Sequence, residues 1–307
     1  MRISLSRLVP RGPTILVLGV LVGLAFPALA ELARPSMPVM IFVIVLGTLL
    51  RTEGKAVVAV LGRPALSVLL PVTVMVACPA LIGLIAYRLG LGAELALALV
   101  LATAAPPSSG TAAVARMLGL DCTVPLAVTL LCMALAPLTV PLLAGWFGGI
   151  GISAFDLALR LALLVGGAEG VALLLRRFAG PQLHSHGEAV DRVVVAALLV
   201  FVVATMAGVR AQIAADWHGA LLCLALAFAC NLGLQGVGAA LLPGALAERL
   251  TVGLILGNRN VGLVWSALGA AASPRMALFF AATQLPIYIT PRLIDLIISY
   301  ARARKPS

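Results

Sequence analysis

Ala104-Ala105-Pro106-Pro107-Ser108-Ser109-Gly110-Thr111-Ala112 interrupts an apolar stretch that runs from about Ala93 to Leu118. Each proline lacks an N–H and drives the residue before it out of the helical region, so the segment divides into two half-helices joined by unwound chain. A second interruption, Gly257-Asn258-Arg259-Asn260, falls inside the apolar stretch from about Ala245 to Ala271. Polar backbone freed at membrane depth survives only when it is buried in protein or lines a polar cavity. Two interrupted segments at corresponding places in two halves are the pattern of a secondary transporter whose binding site lies at the breaks.

Composition sets the same frame. Of 307 residues, 62% are hydrophobic and 10% charged, and the mean hydropathy is +1.15. About 20 apolar residues cross a bilayer, so the chain is expected to be an all-α polytopic membrane protein. The net charge of +10 resides in short loops and at the termini rather than in a basic patch interleaved with aromatics, which argues against nucleic acid as a partner. Cys78, Cys122, Cys132, Cys223 and Cys230 have no CxxC spacing and no nearby histidine, so they read as packing residues rather than a disulfide or metal framework. No metal and no organic cofactor are expected.

Ten spans follow from the apolar runs. The first, from about Thr14 to Ala33, contains an Ala28-Leu29-Ala30 that resembles a signal cleavage site, but it is counted as a span because its removal leaves an unbalanced set. The others run from about Met37 to Leu50, Leu66 to Leu89, the broken fourth, Asp121 to Phe147, Ala154 to Leu175, Val190 to Val209, Gly219 to Leu242, the broken ninth, and Met276 to Tyr300. Pro71 and Pro79 are expected to kink the third, and Asp121 to cap the fifth. Residues 1–147 form one five-helix repeat, 148–153 (Gly148-Gly149-Ile150-Gly151 and beyond) a linker, and 154–307 the second repeat. Five is odd, so the repeats face opposite ways. With the N-terminus inside, 14 of the 21 Lys and Arg residues, Arg2, Arg7, Arg11, Lys55, Arg302, Arg304 and Lys305 among them, fall on the inner side and five on the outer. The expected location is the cell (inner) membrane with both termini cytoplasmic.

Arg259 is the most informative side chain. A cation at mid-membrane costs about 2.5 to 3.5 kcal/mol on insertion scales, and a guanidinium does not deprotonate, so it must find acceptors. It would be held by carbonyls of the 106–110 break, or bind a substrate carboxylate, or satisfy helix-end carbonyls alone. Asn258 and Asn260 beside it offer both donors and acceptors to unwound backbone, and Ser108, Ser109 and Thr111 bring hydroxyls next to the N–H groups of the following half-helix. That set favours an anionic group and makes Ser108, Ser109, Thr111, Asn258, Arg259 and Asn260 the candidate substrate site. Asn231 and Gln235 share one face and read as interhelical hydrogen-bonding residues, as does Gln284. Glu169 is either a proton-exchanging carboxylate or an interfacial one. His184 and His186 lie in an expected loop from Pro181 to Gly187 without the neighbours that a metal needs.

With these features in hand, the chain resembles the bile acid:sodium symporter superfamily, as a divergent bacterial-type member. The resemblance is carried by Cys78-Pro79, Gly92-Ala93-Glu94, Ala105-Pro106-Pro107-Ser108-Ser109-Gly110-Thr111, Ala127-Val128-Thr129, Leu250-Thr251 and Gly257-Asn258-Arg259-Asn260-Val261-Gly262-Leu263. It implies ten helices in two inverted repeats, with spans 1, 2, 6 and 7 as a panel. Spans 3–5 and 8–10 form a core in which broken helices 4 and 9 cross, and organic anions bind between core and panel. It also implies sodium sites, and there the chain departs. The family's helix 9 glutamate and glutamine fall at Ile255 and Arg259, its helix 3 glutamine at Val74, its helix 4 serine-asparagine pair at Thr111 and Ala112, and its helix 5 serine at Pro125, with one threonine kept as Thr129. Thr111, Thr129 and Arg259 are the remnants of the ion sites.

The expected function is alternating-access transport of a small organic anion (bile-acid-like, steroid-like or carboxylate) without ordinary sodium coupling. The alternatives are a sodium- or proton-coupled symporter or an anion efflux carrier of the same superfamily. The arsenite-exporting branch carries a cysteine at the first break and a helix 9 glutamate, both missing here. An intramembrane enzyme with Ser108 or Ser109 as nucleophile needs a base within reach, and no histidine falls in a span.

Overall fold

The structure, a computed structural model, describes residues 12–51, 58, 60–148, 151–241 and 243–303. Arg2, Arg7, Arg11, Lys55, Arg304 and Lys305 of the charge count, and Gly149 and Ile150 of the expected linker, lie outside the described residues. So do the side chains of His184 and Arg302.

Among the described residues the regular secondary structure is helical, and an isolated antiparallel bridge joins Pro107 to Arg259. The helices are α1 Gly12–Ala25, α2 Pro27–Ala33, α3 Met37–Arg51, α4 Ala65–Arg88, α5 Ala93–Ala104, α6 Thr111–Met117 and α7 Thr123–Phe147. They continue as α8 Ala154–Ser185, α9 Gly187–Ala204, α10 Val209–Ala215, α11 Trp217–Leu241, α12 Leu246–Gly257, α13 Val261–Leu268, α14 Pro274–Ala282 and α15 Gln284–Ala303. Seven helical stretches are long and apolar enough to cross a bilayer: Pro27–Arg51, Ala65–Arg88, Thr123–Phe147, Ala154–Gly180, Gly187–Ala215, Trp217–Leu241 and Pro274–Ile298. Their outer faces expose Leu, Val and Ile, and exposed aromatics stand at helix ends, Tyr87 on α4, Trp146 on α7 and Trp217 on α11. This is the surface of a multi-pass membrane protein.

The interrupted helices are the centre. Every residue of α13 is buried, as are Thr251–Gly257 of α12 and Leu97–Ala104 of α5. A helix apolar on all sides belongs in the middle of a bundle. Around them α11 lies against α12, α7 against α5, and α14 against α5, while α3, α8 and α9 pack on one another.

Close approach of α11 and α12 depends on glycine. A Cβ on Gly253 would stand 2.7 Å from the Gln235 carbonyl oxygen, and one on Gly238 would stand 2.9 Å from the Gly253 Cα. Small residues let two backbones meet and bring van der Waals contact where no hydrophobic drive between helices exists.

Several expected boundaries move. The first expected span, Thr14 to Ala33, is divided at Phe26 (φ −121°, ψ 75°), because Pro27 forces its predecessor out of the helical region. Pro27–Ala33 then runs through a 3₁₀ turn into α3, so it belongs with the second span. The expected loop from Pro181 to Gly187 is helical to Ser185, and the chain bends earlier, at Ala179 (φ −133°, ψ 22°). The last span has a step at Thr283 between α14 and α15. Asp121 accepts a 2.7 Å hydrogen bond from the Thr123 N–H, holding the start of α7.

Gly253→Ala is expected to lower the thermal midpoint of the purified protein, since overpacking costs about 1–3 kcal/mol. Gly233→Ala, where an added Cβ meets nothing within 4 Å, should leave the midpoint unchanged or raise it slightly. Equal midpoints for the two variants would contradict the close approach.

Candidate functional site

The two breaks pair with each other. The Ser108 N–H donates to the Asn258 carbonyl at 2.8 Å, and the Asn260 N–H donates to the Pro106 carbonyl at 2.7 Å. Ala105 (φ −60°, ψ 143°) and Asn258 (φ −87°, ψ 101°) are extended, and neither break contains a non-glycine residue at positive φ. The unwound chain is thus a minimal two-strand bridge inside a helical bundle. It satisfies two donors and two acceptors that the helices gave up.

What remains is a set of carbonyls, and Arg259 takes three of them. Its Nε donates to the Leu256 oxygen at 2.7 Å, and its Nη1 to the Val74 oxygen at 2.9 Å and the Ala105 oxygen at 3.3 Å. Each carbonyl is free for its own reason. The helical partner of Leu256 is the Asn260 N–H, which goes across the crossing instead. Val74 sits in a π turn, Thr73–Ala77, where the Cys78 N–H reaches back to Thr73, and the next residue, Pro79, has no N–H to give. Ala105 precedes Pro106 and has left the helix. The expectation that carbonyls of the 106–110 break hold Arg259 is therefore corrected: the acceptors come from α4, from α12 and from the residue before the break.

Arg259 is 4% exposed, and among the described residues its Nη2 has no hydrogen-bond partner. Cys78 and Cys132 are the titratable side chains that act on it electrostatically. No carboxylate is buried among the described residues. Arg259 is a buried charge compensated by dipoles alone, a costly arrangement.

On the other side of the crossing an amide relay does the corresponding work. The Asn231 Nδ2 donates to the Gly257 carbonyl at 2.9 Å and to the Asn258 Oδ1 at 3.2 Å. The Gln235 Nε2 donates to the Asn231 Oδ1 at 2.7 Å and to the Thr290 Oγ1 at 3.2 Å, and the Thr290 hydroxyl donates to the Pro286 carbonyl at 2.8 Å. Thr290 was not among the residues that the sequence singled out. Its signal was a hydroxyl four residues after Pro286, within reach of the carbonyl at that turn. A cavity of about 30 Å³ adjoins this relay, lined by Thr103, Cys230, Asn231, Phe279, Thr283 and Ile287 among others. By volume it suits a water or two.

The other candidate residues gather at the same place with different tasks. Asn260 caps α13, its Oδ1 accepting from the Leu263 N–H at 3.3 Å, and the Ser108 Oγ accepts from the Gly110 N–H at 3.3 Å. The hydroxyls of Ser109, Thr111, Thr129 and Ser266 are buried and have no partner among the described residues. Glu169 is exposed on α8, outside this site.

The sodium that the resemblance implies does not fit these residues. Ile255 and Val74 are each 0% exposed and apolar, and the guanidinium brings a full positive charge to the Val74 and Ala105 carbonyls. Thr111 and Thr129 offer two hydroxyls and no charge. No family model matches the chain, and no curated protein matches it.

Removing the Asn231 amide strands the Gly257 carbonyl, and an unsatisfied buried acceptor costs about 1–3 kcal/mol. Asn231→Ala should therefore lower the thermal midpoint more than Thr290→Val, which strips only one end of the relay. The reverse order would contradict the assignment of Asn231 as the cap of the second break.

Proposed function

We propose that the chain is a secondary carrier of a small organic anion, working by alternating access, of the kind found in the bile acid:sodium symporter superfamily but without its sodium coupling. The observation that carries this reading is the Arg259 guanidinium: buried, unmatched by any buried carboxylate among the described residues, with Nη2 unpartnered, at the pairing of two interrupted helices. A positive site at mid-membrane is the natural binding place for an anion.

The ten-span architecture in two inverted five-helix repeats is part of the proposal. Corresponding positions in the two halves lie 151 to 153 residues apart, as in 65 to 217, 93 to 246 and 123 to 274. The two cross-break hydrogen bonds exchange under the same shift, which carries Pro106 to Asn258 and Ser108 to Asn260. Such an exchange is what a two-fold axis through the crossing produces. The helices too short to cross alone, Leu16–Ala25, Ala93–Ala104 and Val261–Ala271, supply the spans beyond the seven: the first, and by pairing with their partners the fourth and ninth. Core and panel would then rock around the crossing, in the cell membrane with both termini cytoplasmic.

A cation-coupled symporter is the second reading, favoured by the unpartnered hydroxyls of Thr111 and Thr129. Uptake of a mixed pool of small organic anions into proteoliposomes, read by mass spectrometry with sodium or choline as the cation and no proton gradient, separates the two. The proposal expects at least one anion to equilibrate equally in both salts. It expects Arg259→Gln to weaken that flux about 10- to 100-fold, the equivalent of one charge-assisted hydrogen bond. Accumulation that requires sodium favours the second reading, and full activity of Arg259→Gln removes the guanidinium from the site.

A further inference from the structure

We propose that the carbonyl oxygens of Val74, Ala105 and Leu256 constitute a monovalent-cation site that the Arg259 side chain occupies from within. On this account the guanidinium is a tethered ion, and vacating the site creates a binding place for a free cation, guanidinium foremost.

The donor set is the first ground. Three neutral carbonyl oxygens converge on one guanidinium at 2.7, 2.9 and 3.3 Å. Rings of backbone carbonyls are how proteins hold a single positive charge without carboxylates. The surroundings carry no opposing charge: Val74, Met75, Ile255 and Leu256, at or next to the donor carbonyls in the chain, are each fully buried and apolar, and Cys132 acts on Arg259 electrostatically.

Comparison of the two halves is the second ground, and it is independent. The carbonyls of Ala105 and Gly257 occupy equivalent places beside the two breaks, 152 residues apart. Gly257 is capped by the neutral Asn231 amide at 2.9 Å, and Ala105 by Arg259. Capping a break therefore needs a donor and not a charge. The positive charge at the first break answers to something more, namely two further carbonyls, Val74 and Leu256, which Arg259 holds together with Ala105. Cys78 and Cys230 hold the equivalent places near the two, so the thiols do not account for the difference.

The inference does not rest on the transport reading, and its test does not use transport. Full-length wild type, Arg259→Ala and Arg259→Gln are purified in lipid nanodiscs, and thermal unfolding is followed with added chloride salts of guanidinium, sodium, potassium or choline. Ionic strength is matched and guanidinium is kept far below denaturing concentrations. Arg259→Ala is expected to lose several degrees and to regain them saturably with guanidinium but not with choline. Arg259→Gln, which offers donors without charge, should also fall below wild type and respond to guanidinium, and wild type should not distinguish the four salts. If Arg259→Ala does not fold, it is expressed and purified with guanidinium present, and recovery in that condition alone counts as rescue. The proposal is overturned if no salt differs from choline in either variant, or if Arg259→Gln is as stable as wild type in choline.

Discussion

The structure depends on what happens to backbone oxygens when two buried helices stop in the middle of the bundle. Continuous helices would need no help, but the prolines at 106 and 107 break one of them and the Gly257-Asn258 pair weakens the other. The chain answers with three devices in one small volume: a two-bond bridge between the breaks, an arginine on one side and an amide relay on the other. Together they account for the carbonyls of Pro106, Asn258, Leu256, Val74, Ala105 and Gly257. The π turn ahead of Pro79 belongs to the same system, because without it the Val74 oxygen would be spent on the Cys78 N–H.

The two devices differ in kind. An arginine and an asparagine fill comparable roles in the two halves, so the centre of the molecule carries a positive charge on the α4 and α7 side and only neutral amides on the α11 and α15 side. A charge in this place is expensive, and the Asn231 amide shows that capping the carbonyl beside a break does not require one. The asymmetry is the strongest link between the packing of the core and the proposed binding of an anion. It also gives a physical reason for the proposed independence from sodium, since the guanidinium holds carbonyls that an ion would use. Close glycine-mediated packing of α11 on α12 keeps the relay in register with the break: a Cβ on Gly257 would stand 2.3 Å from the Gln235 Cγ.

Both breaks were legible from local chemistry, because proline and glycine act on their own residues wherever the chain folds. Arg259 was legible because a guanidinium inside an apolar run has no bland explanation. Its acceptors were not: the Val74 oxygen becomes available through a π turn and lies 185 residues away along the chain, which no local pattern encodes. The division at Phe26 was encoded by Pro27, yet the hydrophobic run continues through it and hides the boundary. The helical course of 181–185 was missed because Pro181 read as a stop, whereas the bend falls two residues earlier at Ala179. Thr290 went unnoticed because threonine is common in membrane helices and gains meaning only beside Gln235.

The most direct measurement on the central claim is amide hydrogen exchange in lipid nanodiscs, resolved on peptides that cover residues 105–111 and 257–263. The account predicts that both peptides exchange as slowly as the buried parts of α5 and α12 in wild type, and that both speed up together in Arg259→Gln. Exchange at the crossing as fast as in the exposed connections between helices, or acceleration of one peptide without the other, would contradict it.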